Sequence, residues 1–176
     1  MSKILMCSSE VAPFAKTGGL GDVLGALPQA LAKLGDDVRV VMPKYGCIPQ
    51  KYTEKMEFCF FIYVPLGWRR KYCGVFKLEK DGVTYYFIDN EYYFNGYAPY
   101  GDMYADIEKF AFFSKAVLSA LPLIDFRPDI IHCHDWQTGL VPIYLDNFRY
   151  GNEFYRGIKT VMTIHNLKFQ GTWDPK

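Results

Sequence analysis

The chain has 176 residues, which at roughly 150 residues per domain accommodates one domain, or one domain and the start of another, and excludes a complete two-domain enzyme. Half of the residues are hydrophobic and 18% are aromatic, enough for a packed core and unlike a disordered chain. Lys and Arg number 20 against 19 Asp and Glu, with no basic run longer than Arg69-Arg70-Lys71, so nucleic acid is not the expected partner and an anionic ligand must be held by local devices.

In chain order, Ile4 to Ser8 is a short apolar run of the kind a buried parallel strand shows, followed by a loop containing Pro13, Gly18, Gly19 and Gly21. From Leu20 the apolar positions 20, 23, 24, 27, 31 and 34 lie on one helical stripe that Gly35 stops. Pro28 falls inside it and predicts a bend near Leu24. Val38 to Met42 is a second strand. Phe58–Val64, Tyr72–Leu78 and Val83–Ile88 read as strands, the last two joined by the turn Lys80-Asp81-Gly82, so antiparallel pairing is inserted here. Asn90 to Asp106 is rich in Tyr and has no helical period, which predicts an aromatic loop. Ile107 to Leu121 then share a helical face, with Asp106 as the expected N-cap. Asp129–Cys133 is a strand, Thr138–Tyr150 a helix and Thr160–Ile164 another strand. The expected fold is α/β: a Rossmann-like parallel sheet with helices on both faces and an inserted β-hairpin region. The last residues, 169–176, follow a strand without a helix to cover it, and the chain reads as a piece cut from a longer protein.

The five cysteines, 7, 47, 59, 73 and 133, are odd in number and unclustered, which fits reduced thiols in the cytoplasm. The apolar run at the N-terminus is too short for a signal peptide or a membrane span, so no membrane partner is expected.

Ligands of open parallel sheets sit beyond the carboxyl ends of the strands, and three such places carry chemistry. Lys16-Thr17-Gly18-Gly19-Leu20-Gly21-Asp22 is a glycine-rich loop running into a helix: bare backbone, free N–H groups and a cation together suit a phosphate. The same residues also suit a tight turn with close helix packing. A P-loop is excluded because no Gly-Lys-Ser/Thr follows. The dinucleotide fingerprint fails on the Gly19, Gly21, Gly25 spacing and on the missing acid after the second strand.

His132-Cys133-His134-Asp135 ends one strand and Thr163-Ile164-His165-Asn166 the next. His132 and His134 share a side of their strand, and a metal site with Asp135 can be drawn, but further ligands at recognisable spacing are missing and no metal is expected. Asp135 and His165 on adjacent strand ends can hydrogen-bond a polyhydroxylated ligand or stabilise developing charge; alternatively Asp135 caps the next helix and His165 bonds a carbonyl. The tyrosines at 92–104 serve either as a sugar platform or as packing over the sheet edge.

The run from Ser9 to Val23, Ser-Glu-Val-Ala-Pro-Phe-Ala-Lys-Thr-Gly-Gly-Leu-Gly-Asp-Val, resembles the N-terminal signature of bacterial glycogen synthases and plant starch synthases. His132–Gln137 resembles a second motif of that family, and His165-Asn166-Leu167 with Phe169-Gln170-Gly171 a third. The resemblance implies a GT-B glycosyltransferase of two Rossmann domains, moving glucose from ADP-glucose to the non-reducing end of an α-1,4-glucan with retention and without a metal or other cofactor. Residues 1–176 would be its N-terminal, acceptor-side domain, inactive without the C-terminal nucleotide-sugar-binding domain. Because that second domain reads the base, UDP-glucose is equally compatible with the residues present. Carried over by motif, Lys16, Gly18, Gly19 and Asn166 would bind the donor, Asp22 and Tyr100 would lie on the acceptor side, and Asp135 and His165 would act at the transferred glucose. Two positions depart from the pattern: Phe169 stands where Tyr is usual, and Lys109 where Arg commonly precedes Phe110. The competing readings are a glucan-binding module without catalysis and a GT-B transferase of another sugar.

Overall fold

The structure is a computed structural model that describes residues 1–172. Its elements are β1 (Lys3–Cys7), α1 (Gly19–Lys33), β2 (Asp37–Pro43), α2 (Gln50–Thr53), β3 (Glu57–Leu66), β4 (Arg69–Lys80), β5 (Val83–Asp89), α3 (Glu91–Phe94), α4 (Met103–Ala120), β6 (Ile130–His134), α5 (Leu140–Gly151) and β7 (Lys159–Thr163). The strands form one sheet in the order β3-β4-β5-β2-β1-β6-β7. From β5 to β7 all neighbours are parallel, whereas β4 runs antiparallel to both β3 and β5. The inserted antiparallel region is thus an extension of one edge of the parallel sheet, and β5 belongs to both parts.

Strand alternation divides the core into two layers. Leu5, Val41, Tyr86 and Ile88 meet Val117 of α4, and Leu121 just past its end, on one face. On the other, Tyr85 and Phe87 present their rings to Phe14, edge-on at 5.0 and 5.1 Å, and Gln29 of α1 reaches Tyr85. Helices therefore cover both faces, the doubly wound arrangement in which central strands are apolar on both sides. The α1 stripe buries Leu20, Leu24 and Pro28, and the helix runs as one element through Pro28. Gly35, at φ +99°, ends it and donates to the Ala32 carbonyl, a left-handed stop open to glycine. Asp81 and Gly82 both have positive φ, the turn that the twist of a two-residue hairpin demands.

The aromatic stretch is more ordered than the pattern suggests. It contains α3, capped by the Asn90 side chain on the Tyr93 N–H, and α4 starts at Met103. The cap of α4 is Asp102, which accepts from the Ala105 N–H at 3.2 Å, and not Asp106. Asp106 is buried in the first turn, where it accepts from Gly101 N–H at 3.0 Å and pairs with Lys109 at 2.6 Å. Spacing could not separate two acids four positions apart at one helix start. Likewise α5 begins at Leu140, because Trp136–Thr138 form a 3₁₀ turn first. Glu108 of α4 clamps the hairpin: Arg69 donates to its two oxygens at 2.9 Å each, and Tyr93 OH at 2.5 Å. Among the described residues no helix is long and apolar enough to cross a membrane, all five cysteines are free, and Val161 and Met162 of β7 stay largely exposed. Residues 173–176, part of the C-terminal stretch predicted to lack a covering helix, lie outside the described residues.

Phe14, 2% exposed, fills the space between Tyr52, Tyr85 and Phe87. Phe14→Ala is expected to cost about 3–5 kcal/mol of stability, read as a lowered urea midpoint; a midpoint within error of the parent contradicts this packing.

Candidate functional site

A cleft of about 700 Å³ opens beyond the carboxyl ends of β1, β6 and β7, lined among others by Glu10, Gly18, Gly19, Tyr100, Asp135 and His165. Its organising residue is Glu10, three positions past β1 and only 3% exposed. A carboxylate removed from water needs donors, and Glu10 has four: Thr17 N–H at 2.7 Å, Thr17 hydroxyl at 2.6 Å, Gly18 N–H at 3.2 Å and Tyr100 OH at 2.7 Å. Ser9 Oγ lies 2.7 Å from the same Tyr100 oxygen. Burial, together with the Glu10 charge, drives the Tyr100 phenol far above its usual range, so it stays neutral and holds the loop while its ring lines the cleft.

The glycines divide by role. A Cβ on Gly21 would lie 2.9 Å from Lys16 Cγ and one on Gly25 3.0 Å from Ala12 Cβ, so internal packing accounts for both. At Gly18 and Gly19 a Cβ would meet no atom within 4 Å. Their bare backbone faces open cleft, at a helix start with no side-chain cap, which is where an anion is favoured. The Gly18 N–H is given to Glu10, which leaves the first amides of α1, beginning with Gly19, without a side-chain acceptor. Lys16 and Asp22 do not line the cleft: they pair with each other at 2.7 Å, both about half exposed.

Opposite the glycines stands Asp135, at φ 60° and ψ 179°, a conformation that costs a non-glycine residue roughly 1–3 kcal/mol. It is held there by three bonds. Its N–H extends the β6–β7 ladder to the Thr163 carbonyl at 2.9 Å, its carbonyl accepts from Thr138, and its Oδ1 accepts from the His165 N–H at 2.7 Å. The sheet thus ties Asp135 and His165 to one another, and Asn166 follows on the same wall.

His165 heads a row of three imidazoles running back along β6. His132 and His134 rings lie 4.1 Å apart and His134 and His165 rings 5.2 Å apart. His134 Nδ1 is 2.9 Å from His165 Nε2, and His132 Nε2 is 2.7 Å from Thr163 Oγ1. Burial, reinforced by the neighbouring His132 and His165, lowers His134 from 6.5 to about 3, and burial also lowers His132. The rings stack where a metal would need them to converge; among the described residues no three His, Cys, Asp or Glu side chains are grouped to hold an ion.

The structure therefore brings Gly18, Gly19, Tyr100, Asp135, His165 and Asn166 into one cleft and leaves Lys16 and Asp22 at its margin. Sequence reasoning assigned no role to Glu10, although an acid directly after an apolar strand was a visible signal. It also missed His134 as the partner of His165, and Trp136, which lines the cleft and whose ring passes so near Gly171 that a Cβ there would sit 2.5 Å away.

Fold and cleft together define a doubly wound, Rossmann-like domain whose cleft lies at the strand ends, the place where such sheets take their ligands. More particularly, the chain belongs to the starch synthase catalytic domain family, whose model matches residues 3–176. It is 61% identical to a glycogen synthase of Lachnospira eligens over 176 residues and 56% identical to one of Geobacillus stearothermophilus over 170. These matches cover 100% and 96% of the chain but 37% and 35% of those proteins. The catalytic domain of starch synthase IV from Arabidopsis thaliana, bound to ADP and acarbose, superposes with a TM-score of 0.83 at 30% identity, over 97% of this chain and 35% of that one. A sucrose-phosphate synthase from Thermosynechococcus elongatus shares the fold, with a TM-score of 0.58 at 16% identity over 95% of this chain and 34% of its own. The fold is that of the N-terminal part of these GT-B glycosyltransferases.

Two outcomes follow from the wall of the cleft. Asp135→Gly relieves the strained backbone that Asp135→Ala retains, so the glycine variant is expected to be about 1–3 kcal/mol more stable than the alanine variant in denaturant unfolding; equal midpoints contradict the strain. His134 stays neutral in the folded chain while the unfolded chain takes up its proton below pH 6.5. Stability should therefore fall as pH drops from 6.5 towards 3, by up to about 1.4 kcal/mol per pH unit. His134→Gln should flatten that slope, and parallel pH profiles for the two proteins would count against it.

Proposed function

We propose that the protein carrying this chain transfers glucose from a nucleoside diphosphate sugar, ADP-glucose foremost, to the non-reducing end of an α-1,4-glucan. In this reading residues 1–176 form its acceptor-side domain, and a further domain of the same protein supplies the nucleotide site and the cations that neutralise the leaving diphosphate. The observation that carries it is the single cleft joining an open helix start at Gly19 to the Asp135–His165 pair. Family membership and the relatives named glycogen synthase support the substrate class. The reading invokes no metal and no organic cofactor, and takes the protein as cytoplasmic, in keeping with its free thiols.

In the transfer the bond from glucose C1 to the phosphate oxygen breaks, the nucleoside diphosphate departs with the electron pair, the acceptor hydroxyl oxygen bonds to C1, and its proton passes to the departing phosphate oxygen. The Gly19 N–H and the dipole of α1 favour the diphosphate, with Lys16 beside them once it exchanges Asp22 for the more highly charged ligand. Asp135 uses one carboxylate oxygen on His165 and keeps the other for the glucose, where its negative charge stabilises the positive charge that develops at the anomeric centre. The His165 ring, fixed from behind by His134, hydrogen-bonds a glucose hydroxyl, and Asn166 adds a donor and an acceptor beside it. On the acceptor side the Tyr100 ring offers a flat face, and Asp22 a carboxylate at the margin. Closure over a second domain would exclude water from the C1 centre.

Full-length protein is expected to move labelled glucose from ADP-glucose to glycogen, and residues 1–176 alone to move none. His165→Ala should lower kcat about 100-fold or more, whereas Lys16→Ala should raise the donor KM about tenfold with kcat changed by less than about threefold. Glycogen binding without transfer from either ADP-glucose or UDP-glucose would favour the glucan-binding module instead, and transfer to another acceptor a related sugar transferase.

A further inference from the structure

His165 reaches the cleft with one ring nitrogen already committed, its Nε2 lying 2.9 Å from Nδ1 of His134. The two ring planes are 13° apart and the ring centres 5.2 Å apart. That separation is what a 2.9 Å contact gives when both nitrogens lie on the line joining the centres. The shared hydrogen therefore sits in the plane of both rings, where the lone pair of the accepting nitrogen points. A neutral imidazole has one N–H and one bare nitrogen, so one ring donates and the other accepts.

We infer that His134 is the donor and acts as a positioning residue: it holds His165 in the tautomer protonated on Nδ1, so that the ring presents an N–H, and not a lone pair, to the transferred glucose. The inference rests on the glucose-transfer reading above for the identity of the ligand, and deepens it by assigning the direction of the hydrogen bond.

The surroundings of His134 separate the two directions. His134 is wholly buried at the end of β6, and its other nitrogen, Nε2, is out of contact with solvent and has no hydrogen-bond partner among the described residues. If His165 donated, neutral His134 would carry its proton on that Nε2 and leave a buried N–H without an acceptor. If His134 donates, Nε2 is a bare nitrogen packed near the His132 ring, whose centre is 4.1 Å from that of His134. Orphaned buried N–H groups are rarer in folded proteins than under-used acceptors, so the first arrangement carries a penalty that the second avoids. A doubly protonated His134 is removed by burial, which together with His132 and His165 lowers it from 6.5 to about 3.

The donor is also held in place. The Thr138 hydroxyl accepts from the His134 N–H at 2.8 Å and lies 3.0 Å from the His134 carbonyl oxygen, and His132, on the other side of the ring, is anchored through Nε2 to Thr163 Oγ1 at 2.7 Å. None of these contacts touches the cleft, so the ring that sets the tautomer is fixed independently of the ligand.

On the cleft side the assignment has a chemical consequence. With Nε2 used as acceptor, His165 carries its hydrogen on Nδ1, which makes no hydrogen bond among the described residues and belongs to a ring that lines the cleft. Asp135, whose Oδ1 binds the His165 N–H at 2.7 Å, offers only acceptors. Donor and acceptor thus stand on one wall, the pair that a sugar hydroxyl satisfies: its oxygen accepts from His165 and its hydrogen goes to Asp135. The opposite tautomer would set two acceptors against one hydroxyl hydrogen. A sugar lacking that hydroxyl leaves both groups unpaired, which is how a polar site rejects it.

The test is nitrogen NMR near pH 7 on full-length protein labelled with ¹⁵N in its histidine side chains, the signals being assigned from His134→Asn and His165→Asn. Both residues are expected to show a protonated Nδ1 and a bare Nε2; a bare Nδ1 on His165 overturns the inference. In His134→Leu the His165 signals should move to a mixture of the two tautomers, and an unchanged pattern likewise overturns it. Transfer from ADP-glucose to glycogen supplies the second readout. His134→Leu should lower kcat about tenfold with the donor KM changed by less than about threefold, whereas His134→Asn, whose side-chain NH₂ keeps a donor near the place of Nδ1, should return kcat to within about threefold of the wild type. A His134→Leu protein as fast as the wild type, or a His134→Asn protein as slow as His134→Leu, overturns the positioning role. Where His134→Leu does not fold, the wild-type tautomer pattern and the rate of His134→Asn decide. Should the wild type transfer no glucose, the transfer reading fails, while the NMR pattern still upholds or overturns the tautomer.

Discussion

The cleft depends on one buried carboxylate. Glu10 leaves β1 and gathers the glycine loop, through Thr17 and Gly18, and the aromatic stretch, through Tyr100, around a single charge. These segments are far apart in sequence, and neither belongs to the sheet. An ionised carboxylate almost wholly out of water is tolerated only when its oxygens are saturated with donors, so the bonds act together and losing one leaves the rest worse placed. The consequence for chemistry is selective. Glu10 consumes the Gly18 N–H and leaves the Gly19 N–H without a side-chain acceptor, and it fixes the Tyr100 ring on the wall of the cleft.

The opposite wall is built by the sheet itself. The β6–β7 ladder runs one residue past the regular strand into Asp135 and holds it in a conformation that an isolated aspartate avoids. The return is geometric: a carboxylate oxygen bonded to the next strand's backbone and its partner oxygen left toward the cleft. Burial lowers His132 and His134 behind it, so the His165 ring that faces the cleft rests against neutral neighbours near pH 7. Strain and desolvation are thereby concentrated within a few residues of the cleft, while β1, β2 and β5 supply the apolar packing that offsets them.

Much of this was legible in the residues. Apolar runs at Ile4, Val38 and Ile130 identify parallel strands because both faces of such strands are buried, and Asp81-Gly82 identifies a hairpin because few residue pairs accept two positive φ values. The location of the site followed from the same logic, since residues just past the strands face one crevice. What spacing could not give were contacts across the chain. Asp102 and Asp106 are both plausible caps, and only the fold shows that Lys109 and Gly101 claim the second. The pairing of Lys16 with Asp22, the partnership of His134 with His165 and the reach of Glu10 to Tyr100 depend on backbone paths that periodicity does not encode. The glycine loop is a case of its own: four glycines look alike in sequence, and only the space around each Cβ position separates Gly21 and Gly25, which pack, from Gly18 and Gly19, which face the ligand's side.

Glu10 assembles the cleft, and amide exchange tests this most directly. In the full-length protein, Glu10→Gln replaces a fourfold acceptor by a group with a single acceptor oxygen and an unwanted donor. Protection of the Thr17 and Gly18 amides is expected to fall by at least about tenfold relative to the wild type, with amides of β2 and β5 unchanged. Unaltered protection at Thr17 and Gly18 would contradict the claim that this carboxylate assembles the cleft.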